Sequence, residues 1–440
     1  MLPTEKPTLS RAHLSAVLLA LCVAGGLPPQ ALAGALPPPP PLGNIPFTFS
    51  NGTPADAEEV NQNFANLDTR LGSLEASNVA TVPANCALDP EAVQDAVDSA
   101  PAHGLIIDAD GTCNSVNIFN KANIMINGPA TFVATGTEES DRPLNIGLSR
   151  GIFINDITAD ALNTNERAVN VGASTALFTN LVAKKSTDID VSVNTKSVAI
   201  LSGTSLIGDV SDVSPGALEV TEISYFGAEG NLTLRGSNTA LRVDSGSRFS
   251  QESGDSASNA VTIVSANTAV SQQQGSWMFV DNGSITGNMR SISSDFFAAP
   301  NGDQAFDITG RIELTLSKFS INTFGGTGGP GSTISGGDIV VQISSVFTML
   351  GNGSNLTLNP TAAVGGPFTG YGLATAFKSN TFLDRVIVDD SANFFVLNLS
   401  HMFGLSTELT DADVDCGGFM EVAQDFSLNI FRDLCAVPAP

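Results

Sequence analysis

Acidic pairs and one aromatic pair are the residues whose types and spacing suit chemistry in this chain. Asp389-Asp390 places two carboxylates side by side. Mutual repulsion makes one of such a pair hold its proton more tightly, as general acid/base work requires. The same dipeptide follows the strand-like Val386–Val388 and reads first as a solvated turn. Asp411, Asp413 and Asp415 have the alternate-carboxylate spacing of a calcium loop. Cys416 stands where that loop needs glycine and Val422 where it needs its closing acid, so calcium is a candidate ion and no cofactor is required. Asp108-x-Asp110-Gly111 is a shorter version and reads as a strand-ending turn. Trp277 and Phe279 suit a platform for stacking a sugar, and equally suit a core or an edge. Ser/His/Asp and Cys/His catalysis are disfavoured, because only His103 and His401 follow the first residues and they lie far apart.

The cysteines point to a compartment. Lys6 and Arg11 precede the apolar run 14–27, and Ala31-Leu32-Ala33 fits a small-x-small cleavage rule, so residues 1–33 are expected to be a signal peptide. The run is too short to span a bilayer and Pro28-Pro29 closes it, so no transmembrane segment is expected. A lipoprotein anchor at Cys22 is disfavoured, since Leu21 precedes it. Cys86, Cys113, Cys416 and Cys435 then remain, an even number that reads as disulfides in an exported chain. Three pairings are open. The local one, Cys86–Cys113 with Cys416–Cys435, places a bridge at each end, each contributing about 3 kcal/mol. The net charge of −25 disfavours nucleic acid and anionic lipid as partners.

The elements follow. Residues 34–44 form a proline-rich linker. In 45–78, Thr53, Pro54 and Asp56 start a helix. Its Ala57, Val60, Phe64, Leu67, Leu71 and Leu74 form a heptad seam, suited to packing on the chain's own body or to homo-oligomerisation through residues 54–75. A second helix near 90–100, started by Asp89-Pro90, carries Ala92, Val93, Ala96 and Val97 on one face. Beyond it, apolar residues two apart recur as short strand signals. The cleanest series, Val198/Ile200, Leu218/Val220, Leu241/Val243 and Val261/Ile263, steps by 20, 23 and 20 residues. Such a step is one coil of a β-solenoid, whereas a β-sandwich would repeat every ~8–12 residues. The glycine-rich run 324–337 is expected to be a loop, and lacks the Gly-Lys-Ser/Thr of a phosphate cradle.

Two resemblances add to this. Phe49, Gly52, Thr53 and Ala55, followed by Val60-Asn61-x-Asn63-Phe64 and Leu67, look like a segment near the N-terminus of many exported bacterial proteins, some of them fibre-like. This implies export and presentation. The helix 92–100, the strand Gly104–Asp108 and the Gly111-Thr112 turn are similar to the entry of pectin-lyase-like β-helix proteins, in which a short helix caps the first coil. That family implies hydrolysis or β-elimination of acidic polysaccharides. Of its hydrolase elements only Asp389-Asp390 is present, and Arg311-Ile312 is followed by Glu313 instead of lysine.

The expectation is an all-β chain with a right-handed parallel β-helix over 86–400, closed by a bridged C-terminal cap, 401–440. The expected role is a non-catalytic surface, adhesive or glycan-binding one, with extracellular polysaccharide or a cell surface as partner. A polysaccharide lyase or glycoside hydrolase is the first alternative, and an oligomeric fibre is the second.

Overall fold

The computed structural model describes residues 79–388, except 103, 209–213, 253–258, 301–303, 323–330 and 359–372. It also gives the backbone of Phe394–Leu397, His401–Leu405, Glu408–Leu409 and Val414–Asp415. The expected signal, linker and heptad helix, together with Asp389, Asp390, Asp411, Asp413, Cys416 and Cys435, lie outside the described residues. The chain divides after Asn78, and all described residues belong to the unit from Val79 onward.

That unit is a parallel β-helix. Every strand pairing among the described residues is parallel, and the strands fall into three ladders that the chain visits in turn. One circuit shows the scheme: Ile189–Asn194 in ladder I, Val198–Ser202 in ladder II, Thr204–Ile207 in ladder III, then Gly216–Val220 back in ladder I. A parallel pair cannot be joined by a hairpin, so the chain must travel around the other two faces before it pairs with itself again. No helix among the described residues is long and apolar enough to cross a membrane.

Alternation along each strand sends one set of side chains inward. In ladder II, Phe226, Phe249, Met278, Phe296, Phe319 and Phe347 occupy one inward column, each in register with the next. Phe296 stacks on Phe319 at 4.7 Å between centroids, and Phe319 on Phe347 at 5.2 Å. Each buried ring contributes roughly 1.5–3 kcal/mol and each stacked pair about 0.5–1.5 more. This column fixes which residues of ladder II face outward.

Buried serines hold the corner between ladders I and II. Ser174 Oγ accepts from the Ser149 N–H at 2.9 Å, Ser197 from Ser174 at 3.2 Å, and Ser224 from Ser197 at 3.1 Å. The series continues with Ser294 to Ser317 and Ser345 to Ser379. A tight corner leaves a backbone donor without a ladder partner, and a serine one coil away satisfies it. On the outer face of ladder I, Asn117, Asn145, Asn170 and Asn194 join side chain to side chain in a similar way.

The N-terminal end is closed as expected. The helix Ala92–Ser99 buries Val93, Ala96 and Val97 and packs against Thr81–Asn85, Leu105–Cys113 and Val116–Phe119. Asp89 accepts the Glu91 N–H at 3.1 Å, just ahead of the first turn. Cys86 and Cys113 are bonded, tying the first strand region to the next.

Three expectations change. The triplets at 198, 218, 241 and 261 do not share a face: they lie in ladders II, I, I and III. Val198 and Ile200 point outward, and the core takes Ala199 and Leu201. True coils range from 18 residues, Trp277 to Asp295, to 34, Ile339 to Leu373. The second half of the glycine-rich run is a strand, Thr333–Gln342, because Gly336 and Gly337 let one strand bend from ladder III into ladder I. Asp108 and Asp110 likewise lie within the strand Leu105–Cys113, which turns its corner at Gly111 (φ +90°) without ending.

Candidate functional site

The strand Trp277–Val280 has Met278 and Val280 in the core, so Trp277 and Phe279 must face outward. Both are half-buried, and their rings lie nearly parallel, 5.7 Å apart. Phe297, in register with Phe279 on the next strand, extends the stack at 5.7 Å. The core-or-edge alternative for Trp277 is thereby decided: it belongs to an outward aromatic cluster.

The register also supplies polar neighbours. Arg248, Trp277, Asp295 and Lys318 are successive partners in one outward column of ladder II. With strands about 4.8 Å apart, the indole is flanked by a guanidinium on one side and a carboxylate on the other. Tyr225 precedes Arg248 in the same column. Its ring leans over Gly227, and burial, followed by the nearby Glu252, raises its phenol above the ordinary value.

Trp277 opens onto a cleft of about 560 Å³, within the range of small-molecule sites, lined also by Arg248, Asp295, Ser293 and Leu316. The corner between ladders I and II explains why it exists. At the coils on either side the tip of this corner carries a large side chain, Ile223 and Leu316. At three consecutive coils it carries Gly246, Gly275 and Ser293. A Cβ on Gly275 would meet nothing within 4 Å, so the space above it is open. Ile223 and Leu316 stand as walls on either side of this notch.

Of the residues singled out from sequence, the structure brings Trp277 and Phe279 together. Arg248, Asp295 and Phe297 were missed. Asp415 lies in the strand Val414–Asp415, paired with Phe394–Phe395. Among the described residues no group of three or more acid, histidine or cysteine side chains is placed to hold a metal.

A second charged constellation lies on the outer face of ladder I. Glu219 pairs with Arg242 at 3.2 Å and Arg167 at 3.9 Å, and Arg242 also reaches Asp244 at 3.1 Å. Glu219 and Arg242 are register partners, so this is a cross-strand ion pair in which each charge is answered by its neighbour.

No protein-family model matches the chain, and no curated protein matches it either. Among solved structures it is similar to the A-module of the mannuronan C-5 epimerase AlgE6 from Azotobacter vinelandii. The identity is 10% and the TM-score 0.27, covering 74% of this chain and 95% of that one. It is also similar to ORF18 of Geobacillus virus E2, at 12% identity and a TM-score of 0.28, covering 79% of this chain and 64% of that one.

Proposed function

We propose that this chain is an exported β-helix protein that binds an extracellular polysaccharide without cleaving it, and that a sugar ring sits in the notch at Trp277. The observation that supports this reading is the half-buried indole facing an open cleft between Arg248 and Asp295. A pyranose has an apolar C–H face and a rim of hydroxyls. The flat indole suits the face, and the guanidinium and carboxylate suit the rim. Glycoside cleavage calls for two carboxylates flanking one bond, and Asp295 is the one carboxylate among the described residues lining the notch.

Trp277 is the chain's single tryptophan, so its fluorescence reports on the notch alone. Titration with polysaccharides should change the emission. Measured by calorimetry, since the variant has no tryptophan, Trp277→Ala should weaken binding about 30-fold, as removal of a central aromatic anchor does. Retention of full affinity by Trp277→Ala, or release of new reducing ends from the bound polymer, would overturn the proposal.

A further inference from the structure

We infer that the ligand is a long, uncharged, extended polysaccharide that lies along the solenoid axis, gripped by the notch and by a ridge of apolar corner residues leading away from it. This rests on the glycan-binding reading above and adds the ligand's class and length. The ridge is made by Leu316, Ile343 and Phe377, the corner tips of three consecutive coils beyond the notch. The Leu316 N–H donates to the Ile343 carbonyl at 3.1 Å, and the Ser344 N–H to the Phe377 carbonyl at 2.9 Å, which sets them one coil apart. They are 53%, 45% and 41% exposed, and Ile223, on the far side of the notch, is 66% exposed.

These side chains are costly where they stand. Leu316, Ile343, Phe377 and Ile223 all have left-handed backbone, with φ of 53°, 53°, 56° and 63°. That region favours glycine, asparagine and aspartate, and it is rare for bulky or β-branched residues. Elsewhere left-handed positions carry favoured types, as at Asn120 and Asn180, and also exposed leucines, Leu148 and Leu162; what sets this stretch apart is that three consecutive coils carry apolar tips. An exposed isoleucine in this conformation contributes nothing to the core, so the fold alone does not call for it. Strain of this kind collects where a surface is used.

The charge pattern selects the ligand. The chain carries −25 overall, yet the tips from Ile223 through the notch to Phe377 are uncharged, with Glu222 and Lys378 at the two ends. Arg248, Asp295 and Lys318 beside them nearly cancel. An anionic polymer would meet the repulsion of the whole molecule with little local compensation, whereas an uncharged one meets none. Successive coils advance about 4.8 Å, close to the advance per residue of an extended β-1,4-linked pyranose chain, so each coil can address one sugar.

The test is a chain-length series of cello-, xylo- and chito-oligosaccharides of two units upward, with oligogalacturonates as the charged arm. Binding is followed by Trp277 fluorescence in the wild type and in the double variant Ile343→Asn/Phe377→Asn. Asparagine suits left-handed backbone, so the variant should fold and melt no lower than the wild type. Wild-type affinity should rise as the oligomer lengthens past the notch. The variant should lose about tenfold for the longest oligomers and keep its affinity for the shortest. Equal affinity for short and long oligomers, an unchanged variant, or preference for oligogalacturonate would each overturn the inference while leaving the notch as a sugar site. Loss of the fluorescence response to every oligosaccharide and polysaccharide would overturn both.

Discussion

Asp338 is a buried carboxylate whose nearest cation, Arg311 Nε, stands at 3.6 Å. Burial raises its pKa above the ordinary 3.8, and the Arg311 charge opposes that only in part. The folded chain therefore holds this proton more tightly than the unfolded one, and stability falls as pH rises from 3.8 through the folded value. Asp338→Asn mimics the protonated form. It should raise the melting temperature well above that window and leave it unchanged well below. Thermal melts at both ends decide, and an equal shift at the two would sink the assignment. The notch also shows what single residues disclose. Trp277 stood out by its type alone. Arg248 and Asp295 did not, because they are 29 and 18 positions away and become neighbours only through register.

At the scale of elements, the corners decide more than the strands. Ser174→Ala removes the acceptor of the buried Ser149 N–H and should cost about 1–3 kcal/mol. Denaturant unfolding would measure it, and amide exchange at Ser149 should rise locally; a loss under about 0.5 kcal/mol would show that the serine is dispensable. The serine repeat was present in the sequence, yet its spacing follows coils of 18 to 34 residues and has no fixed period. The apolar triplets misled for a related reason. Val198 and Ile200 carry the same signal as a core strand, but their neighbours Ala199 and Leu201 fill the interior. A glycine-rich stretch such as 333–342 resembles a loop in sequence. Here it is a strand bending between two ladders.

At the scale of the molecule, a stack of unclosed coils needs protected ends, and the N-terminal one is held by the helix Ala92–Ser99 and the Cys86–Cys113 bridge. The bridge spans 27 residues, so replacing both cysteines by alanine should cost about 3 kcal/mol in the chain-entropy model. Hydrogen exchange should show the loss concentrated in Thr81–Asn85 and Leu105–Cys113. Uniform loss along the whole stack would contradict a local role. The helix's role as a cap came from the resemblance, whereas the sequence by itself pointed to the β-helix class and to a helix near 90–100, and it singled out Trp277. Those rest on composition, local periodicity and residue type, all of which act within a few neighbours along the chain. Only the tertiary structure decided which strands share a ladder, which apolar residues face out, and that three small corner residues in consecutive coils open a notch beside an indole. Register between coils is set by how side chains stack across the whole turn of the solenoid, and no window of sequence contains that information.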